Sequence, residues 1–103
     1  MPSIRKPTDG ILRAQLSGRA VRLARDGGSI AEAIAELRDM AGGRVDLLAE
    51  AAGVQVGYWS AKPSGGDAVV AAGLLIMAGA DHKRIAQWVE VGRQRASKPM
   101  HGG

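Results

Sequence analysis

The sequence contains no cysteine and no phenylalanine. Without cysteine there is no disulfide framework, no thiolate metal site and no thiol nucleophile. The gap is consistent with a reducing compartment, and a cytoplasmic setting is expected. Only Tyr58, Trp59 and Trp88 are aromatic. The apolar interior must therefore come from Ala, Val, Leu and Ile. Small aliphatic side chains let helices approach closely, and Ala is the strongest helix former. Long apolar runs are lacking too. The longest extends over residues 68–80 and is interrupted by Gly73 and Gly79. It is too short for a membrane span and suits a buried core helix. No apolar segment follows Ile4-Arg5-Lys6-Pro7, so no secretory signal is expected.

What is present fits one domain of 103 residues with an apolar content of 46%. Charge is unevenly placed within the net +4. Residues 1–28 hold six Arg/Lys against Asp9 and Asp26. Residues 29–60 hold Arg38 and Arg44 against five acids, and residues 61–103 hold six Arg/Lys against three acids. Two basic ends therefore flank an acidic middle. Basic ends suit nucleic acid, an acidic protein or an anionic membrane surface. The plainer reading is that net charge keeps a small domain soluble.

Glycine punctuates the chain, and the apolar spacing between glycines is helical. Residues 1–7 read as a flexible basic arm. Thr8 and Asp9 can cap a helix over about 10–26, with Leu12, Leu16, Ala20 and Leu23 on one face. Gly27-Gly28 ends it. Ser29-Ile30-Ala31-Glu32 is a capping box, and it opens a helix with Ile30, Ala33, Ile34, Leu37, Met40 and Ala41 at i, i+3, i+4 spacing. Gly42-Gly43 stops that helix. A short helix is expected over about 44–52, with Val45, Leu48 and Ala52 inward, ended by Gly53. Residues 54–62 read either as another short helix or, at Val54-Gln55-Val56, as a brief extended piece. Lys62-Pro63-Ser64-Gly65-Gly66 reads as a loop. Asp67 is expected to cap a helix over about 68–78, apolar nearly all round and hence central. Gly79 is its expected end. Asp81 caps a last helix over about 82–96, and residues 98–103 form a tail. No repeat and no lasting strand pattern is found. The expected fold is all-α: a small orthogonal bundle of four to six short helices, one domain over residues 8–97.

Signals for an enzyme are nearly absent, and no catalytic residue, metal or cofactor is expected. His82 and His101 are far apart and lack partners at ligand spacing. Glu32, Glu36, Asp39, Asp46 and Glu50 fall at solvent-face spacing. The Lys62 to Asp67 loop precedes a helix but lacks the order of a phosphate-binding P-loop.

Leu74 and Ala78 precede Gly79, Ala80 follows it, and Ile85 and Trp88 lie six and nine residues beyond. A tight turn wants glycine for a left-handed residue, and apolar offsets around it set the crossing angle. Residues 72–92 resemble the helix-turn-helix family in this pattern. The resemblance implies DNA binding, with His82, Lys83, Arg84 and Gln87 at the start of a recognition helix facing base edges. Arg19, Arg22 and Arg25, with Arg13, Arg5 and Lys6, would then meet phosphates. Ala49-Glu50-Ala51-Ala52-Gly53-Val54, with Trp59 six residues after Gly53, is similar to the turn region of LacI-type repressors. It departs from them at Gln55-Val56-Gly57, Lys62 and Pro63. The runs 44–53 and 72–95 resemble in style small actinobacterial or actinophage proteins, and no activity comes with that likeness.

Two partner classes follow. The first expectation is a small DNA-binding regulator. The alternative is a non-enzymatic interaction or assembly module, phage-encoded if the likeness of style holds, in which Tyr58 and Trp59 anchor another protein. A homodimer fits either. Otherwise Trp59 and Trp88 are expected in the core. An exposed apolar patch would favour the protein partner.

Overall fold

The computed structural model describes residues 8–61 and 66–97. The expected basic arm over 1–7, the loop residues Lys62 to Gly65 and the tail over 98–103 lie outside them. The fold is all-α, with five helices and no strand among the described residues: α1 (Thr8–Asp26), α2 (Ile30–Ala41), α3 (Val45–Ala61), α4 (Asp67–Met77) and α5 (His82–Ser97).

Local chemistry sets most of the ends. Ser29 Oγ accepts the Glu32 backbone N–H at 3.2 Å, which satisfies one of the free donors at the start of α2. Gly42 adopts the left-handed conformation, φ 58°, and donates its N–H to the Arg38 and Asp39 carbonyls. Asp81 Oδ1 accepts the Lys83 N–H at 3.1 Å and so caps α5 as expected. Asp67 does not cap α4. It is the first helical residue, and Gly66 precedes it without a side-chain cap.

The largest departure from expectation is α3. It runs unbroken through Gly53 and Gly57, so neither a stop at Gly53 nor an extended piece at Val54 is present. These glycines are contact points instead. A Cβ on Gly53 would lie 2.5 Å from Trp88 Cβ and 2.8 Å from the Ile85 carbonyl oxygen. A Cβ on Gly57 would overlap the Val89 carbonyl, and one on Gly92 would lie 2.5 Å from the Val54 carbonyl oxygen. Three missing side chains let α3 and α5 press backbone to backbone. The loss of helix propensity, roughly 1 kcal/mol per glycine, is offset by that close packing.

Accordingly α3, not α4, is the central helix. It packs against all four others, most extensively α5. The core comprises Leu16 and Ala20 of α1, Leu37 of α2, Leu47, Leu48 and Ala51 of α3, and Leu74 and Leu75 of α4. Leu75 is fully buried, as expected. However, α4 leaves Val69, Val70 and Met77 exposed, so it is apolar all round without being buried all round. Val45, expected inward, is also exposed.

Cross-helix contacts fix the directions. Arg44 reaches Asp9, Arg13 reaches Glu50, and Gln55 donates to Ser17, so α1 and α3 run in the same sense. The Asp81 N–H donates to the Val45 carbonyl, and Arg84 meets Glu50, so α5 follows the same sense. Helices α1, α3 and α5 begin at residues 8, 45 and 82, and α2 and α4 begin at 30 and 67, so both series advance by 37 residues. Leu37, Met40, Ala41 and Gly42 at the end of α2 return as Leu74, Met77, Ala78 and Gly79. The expectation of no repeat is thereby corrected. Apart from that Leu-x-x-Met-Ala-Gly string, little sequence is shared between the units, and the period is carried by helix placement.

Candidate functional site

The residues expected to face DNA are divided by the fold. Arg84 donates to Glu50 Oε2 at 3.3 Å, and Arg13 lies 3.5 Å from the other oxygen of the same carboxylate. Glu50 is the one buried charged side chain of the described residues, and it is held by two guanidiniums. Arg13 also stacks over Trp88, 4.8 Å from the ring centroid. Trp88 is thus half-buried beneath an arginine, and the Glu50 clamp joins α1, α3 and α5.

Arg19 is bonded to Glu36 of α2. That hydrogen bond raises the Arg19 guanidinium and holds the Glu36 carboxyl below its ordinary range. Arg25 pairs with Asp67 of α4 at 3.2 Å. Arg44 bridges Asp46 and Asp9, and its hydrogen bond to Asp46 holds that carboxyl low. Arg19, Arg25 and Arg84 therefore already carry acids. Arg22 is exposed with no ion pair among the described residues, and His82, Lys83 and Gln87 are exposed at the start of α5. The helix pair around Gly79 is little packed on itself. Ile85 and Trp88 turn toward Gly53 of α3, and α4 shares little contact with α5.

A different surface gathers apolar side chains. Val56 and Trp59 of α3 and Val69, Ala72, Gly73 and Ile76 of α4 line a groove of about 250 Å³. Trp59, expected in the core, is 39% exposed, and its neighbour Tyr58 is 44% exposed. Val69, Gly73 and Met77 follow at i, i+4 and i+8 along the outer face of α4, with Val70 beside them. The sequence reading found Tyr58 and Trp59 and missed Val69, Gly73 and Met77. The signal for them was present: a helix apolar on every face has one apolar face more than a small core can cover.

Among the described residues, no group of three His, Asp or Glu side chains converges as a metal site. No helix there is long and apolar enough to cross a membrane. Compared with known proteins, the chain matches no family model, no curated protein and no solved structure.

Proposed function

We propose that this chain is a non-enzymatic protein-interaction or assembly module whose working surface is the apolar face shared by α3 and α4. The observation that carries this reading is the groove between Trp59 and Gly73, with large apolar side chains exposed around it. Exposed apolar area is costly in water, and a contiguous patch of it on a small domain suits a protein partner. Aromatic residues at its rim suit the anchoring role that Trp and Tyr take in interfaces. The fitting partner is a protein that presents an apolar helix face, since the groove runs between two helices and offers almost no polar atom.

The DNA reading retains His82, Lys83 and Gln87 as an exposed cluster beside Arg84. It is weaker because Arg19, Arg25 and Arg84 would have to exchange carboxylates for phosphates. One experiment separates the two. A photoreactive residue is placed at Trp59 in one variant and at Lys83 in another, and each full-length protein is irradiated in the cells that make it. Cross-links to protein from position 59 are expected. Cross-links to DNA from position 83, with none to protein from position 59, would overturn the proposal.

A further inference from the structure

Glycine in the middle of a helix costs roughly 0.5–1 kcal/mol relative to alanine. Gly53, Gly57 and Gly92 each return that cost through a contact within the chain. Gly73 does not. It sits midway along α4, and beyond its chain neighbours and its own helix backbone nothing lies within 4 Å of where its Cβ would be. Gly18 is equally open, but it lies on α1 among Gln15, Arg19 and Arg22. Gly73 lies on the exposed apolar face, between Val69 one turn before it and Met77 one turn after.

This arrangement is a notch flanked by two knobs, and it complements itself. Turned over about a two-fold axis through the notch, α4 of one copy crosses α4 of another at Gly73. Val69 of each then seats beside Met77 of the other. An isologous contact needs that reciprocity, in which residue i meets j and j meets i. The charge pattern agrees. Residues 68–80 carry no ionisable side chain, so self-apposition brings no like charges together along the stripe. At its ends, Asp67 is held by Arg25 and Asp81 accepts the Lys83 amide. A net charge of +4 opposes self-association overall, and a neutral stripe adds nothing to that opposition.

We infer that the occupant of the α3–α4 face is a second copy of this chain, docked antiparallel through α4 with the two Gly73 backbones in contact. This rests on the interaction reading above and names its partner.

The lack of cysteine makes the test direct. Gly73→Cys and Gly18→Cys each give a full-length chain with one thiol. A disulfide needs Cα atoms within about 7 Å, so a docked approach at that residue forms one faster than random collision does. Under mild oxidation Gly73→Cys is expected to form a covalent dimer at micromolar protein, at least tenfold faster than Gly18→Cys. Sedimentation equilibrium of the unmodified protein is expected to show a mass that doubles with concentration. Gly73→Leu should remain monomeric over the same range. Nothing outside its own helix crowds a Cβ at position 73, so Gly73→Leu should keep the helical circular dichroism and, compared at a protein concentration below association, an undiminished Tm, which separates lost association from lost folding. Equal oxidation rates at positions 73 and 18, or a dimer that survives Gly73→Leu, would overturn the inference. So would a protein monomeric at every concentration. If that monomer still cross-links a different protein from position 59, the interaction reading survives and only the second copy is lost.

Discussion

The seam between α3 and α5 and the outer face of α4 both contain mid-helix glycine, and they use it in opposite circumstances. In the seam every missing side chain is filled by a neighbouring backbone. On the outer face the space above Gly73 is open. The seam is satisfied within one chain, whereas on the outer face Val69 and Met77 are exposed and nothing in the chain fills the space at Gly73. The difference shows that a glycine inside a helix is interpretable only once its neighbour, or the lack of one, is known.

The largest effect is expected where the comparison is sharpest. Gly57→Val puts a branched side chain where even a Cβ overlaps the Val89 carbonyl and lies 2.8 Å from the Arg93 nitrogen. Both obstacles are backbone, so no rotamer change relieves them. The cost should exceed the roughly 1–3 kcal/mol of ordinary overpacking. Marginal stability for a domain of this size leaves little reserve. Cooperative thermal unfolding should be lost in Gly57→Val and kept in Gly18→Val, where a Cβ would meet nothing within 4 Å outside its own helix backbone and chain neighbours. Equal behaviour of the two variants would dissolve the seam as a distinct feature.

That seam also explains which parts of the fold were legible in the sequence. The capping box at Ser29 and the left-handed Gly42 act through neighbours three and four residues away, so periodicity and residue type located α2 closely. The stop expected at Gly53 failed because the reason for that glycine lies on α5, 35 residues later at Trp88. The spacing Gly53-x-x-x-Gly57 is itself a sequence sign of close helix approach, and it competes with the turn-like reading of Gly53. The candidate DNA residues illustrate the same limit. Charge type is visible in a sequence, but whether Arg84 is available depends on Glu50, and whether Arg25 is available depends on Asp67. Trp59 was half legible: its type fits an anchor, but its exposure is set by how α4 lies against α3.

A smaller effect should separate the two faces of α4 itself. Leu75 points into the core and is fully buried, while Val69 on the outer face is 45% exposed. Leu75→Ala should lower stability by about 2–5 kcal/mol through lost burial and a residual cavity. Val69→Ala should stay within roughly 0.5 kcal/mol in the monomer, as surface changes do. Urea unfolding at a protein concentration below association measures both. A loss at Val69 equal to that at Leu75 would mean that α4 is buried on both sides.

The smallest effect concerns the ion pairs that tie α1 to α2 and to the start of α3, away from the glycine contacts. Arg19 holds the Glu36 carboxyl below its ordinary value of 4.5, and Arg44 holds Asp46 below 3.8, in each case chiefly through a side-chain hydrogen bond. A carboxyl with a lowered folded pKa stabilises the fold above its unfolded value, because the unfolded chain binds the proton more readily. That contribution begins to fade as pH falls through 4.5 for Glu36 and 3.8 for Asp46, and it is gone once pH passes below the lowered folded values. Arginine stays charged throughout, so the carboxyls alone set this acid limb. The pairs are well exposed to water, so the limb should be shallow and should flatten further in added salt. Urea midpoints measured from pH 7 down to pH ~2.5 should fall less steeply in Glu36→Gln than in the unsubstituted protein. In Asp46→Asn the difference should begin at a lower pH than in Glu36→Gln. If neither substitution changes the slope, these pairs do not stabilise the fold, and the seam with the core beneath it holds α1 in place without them.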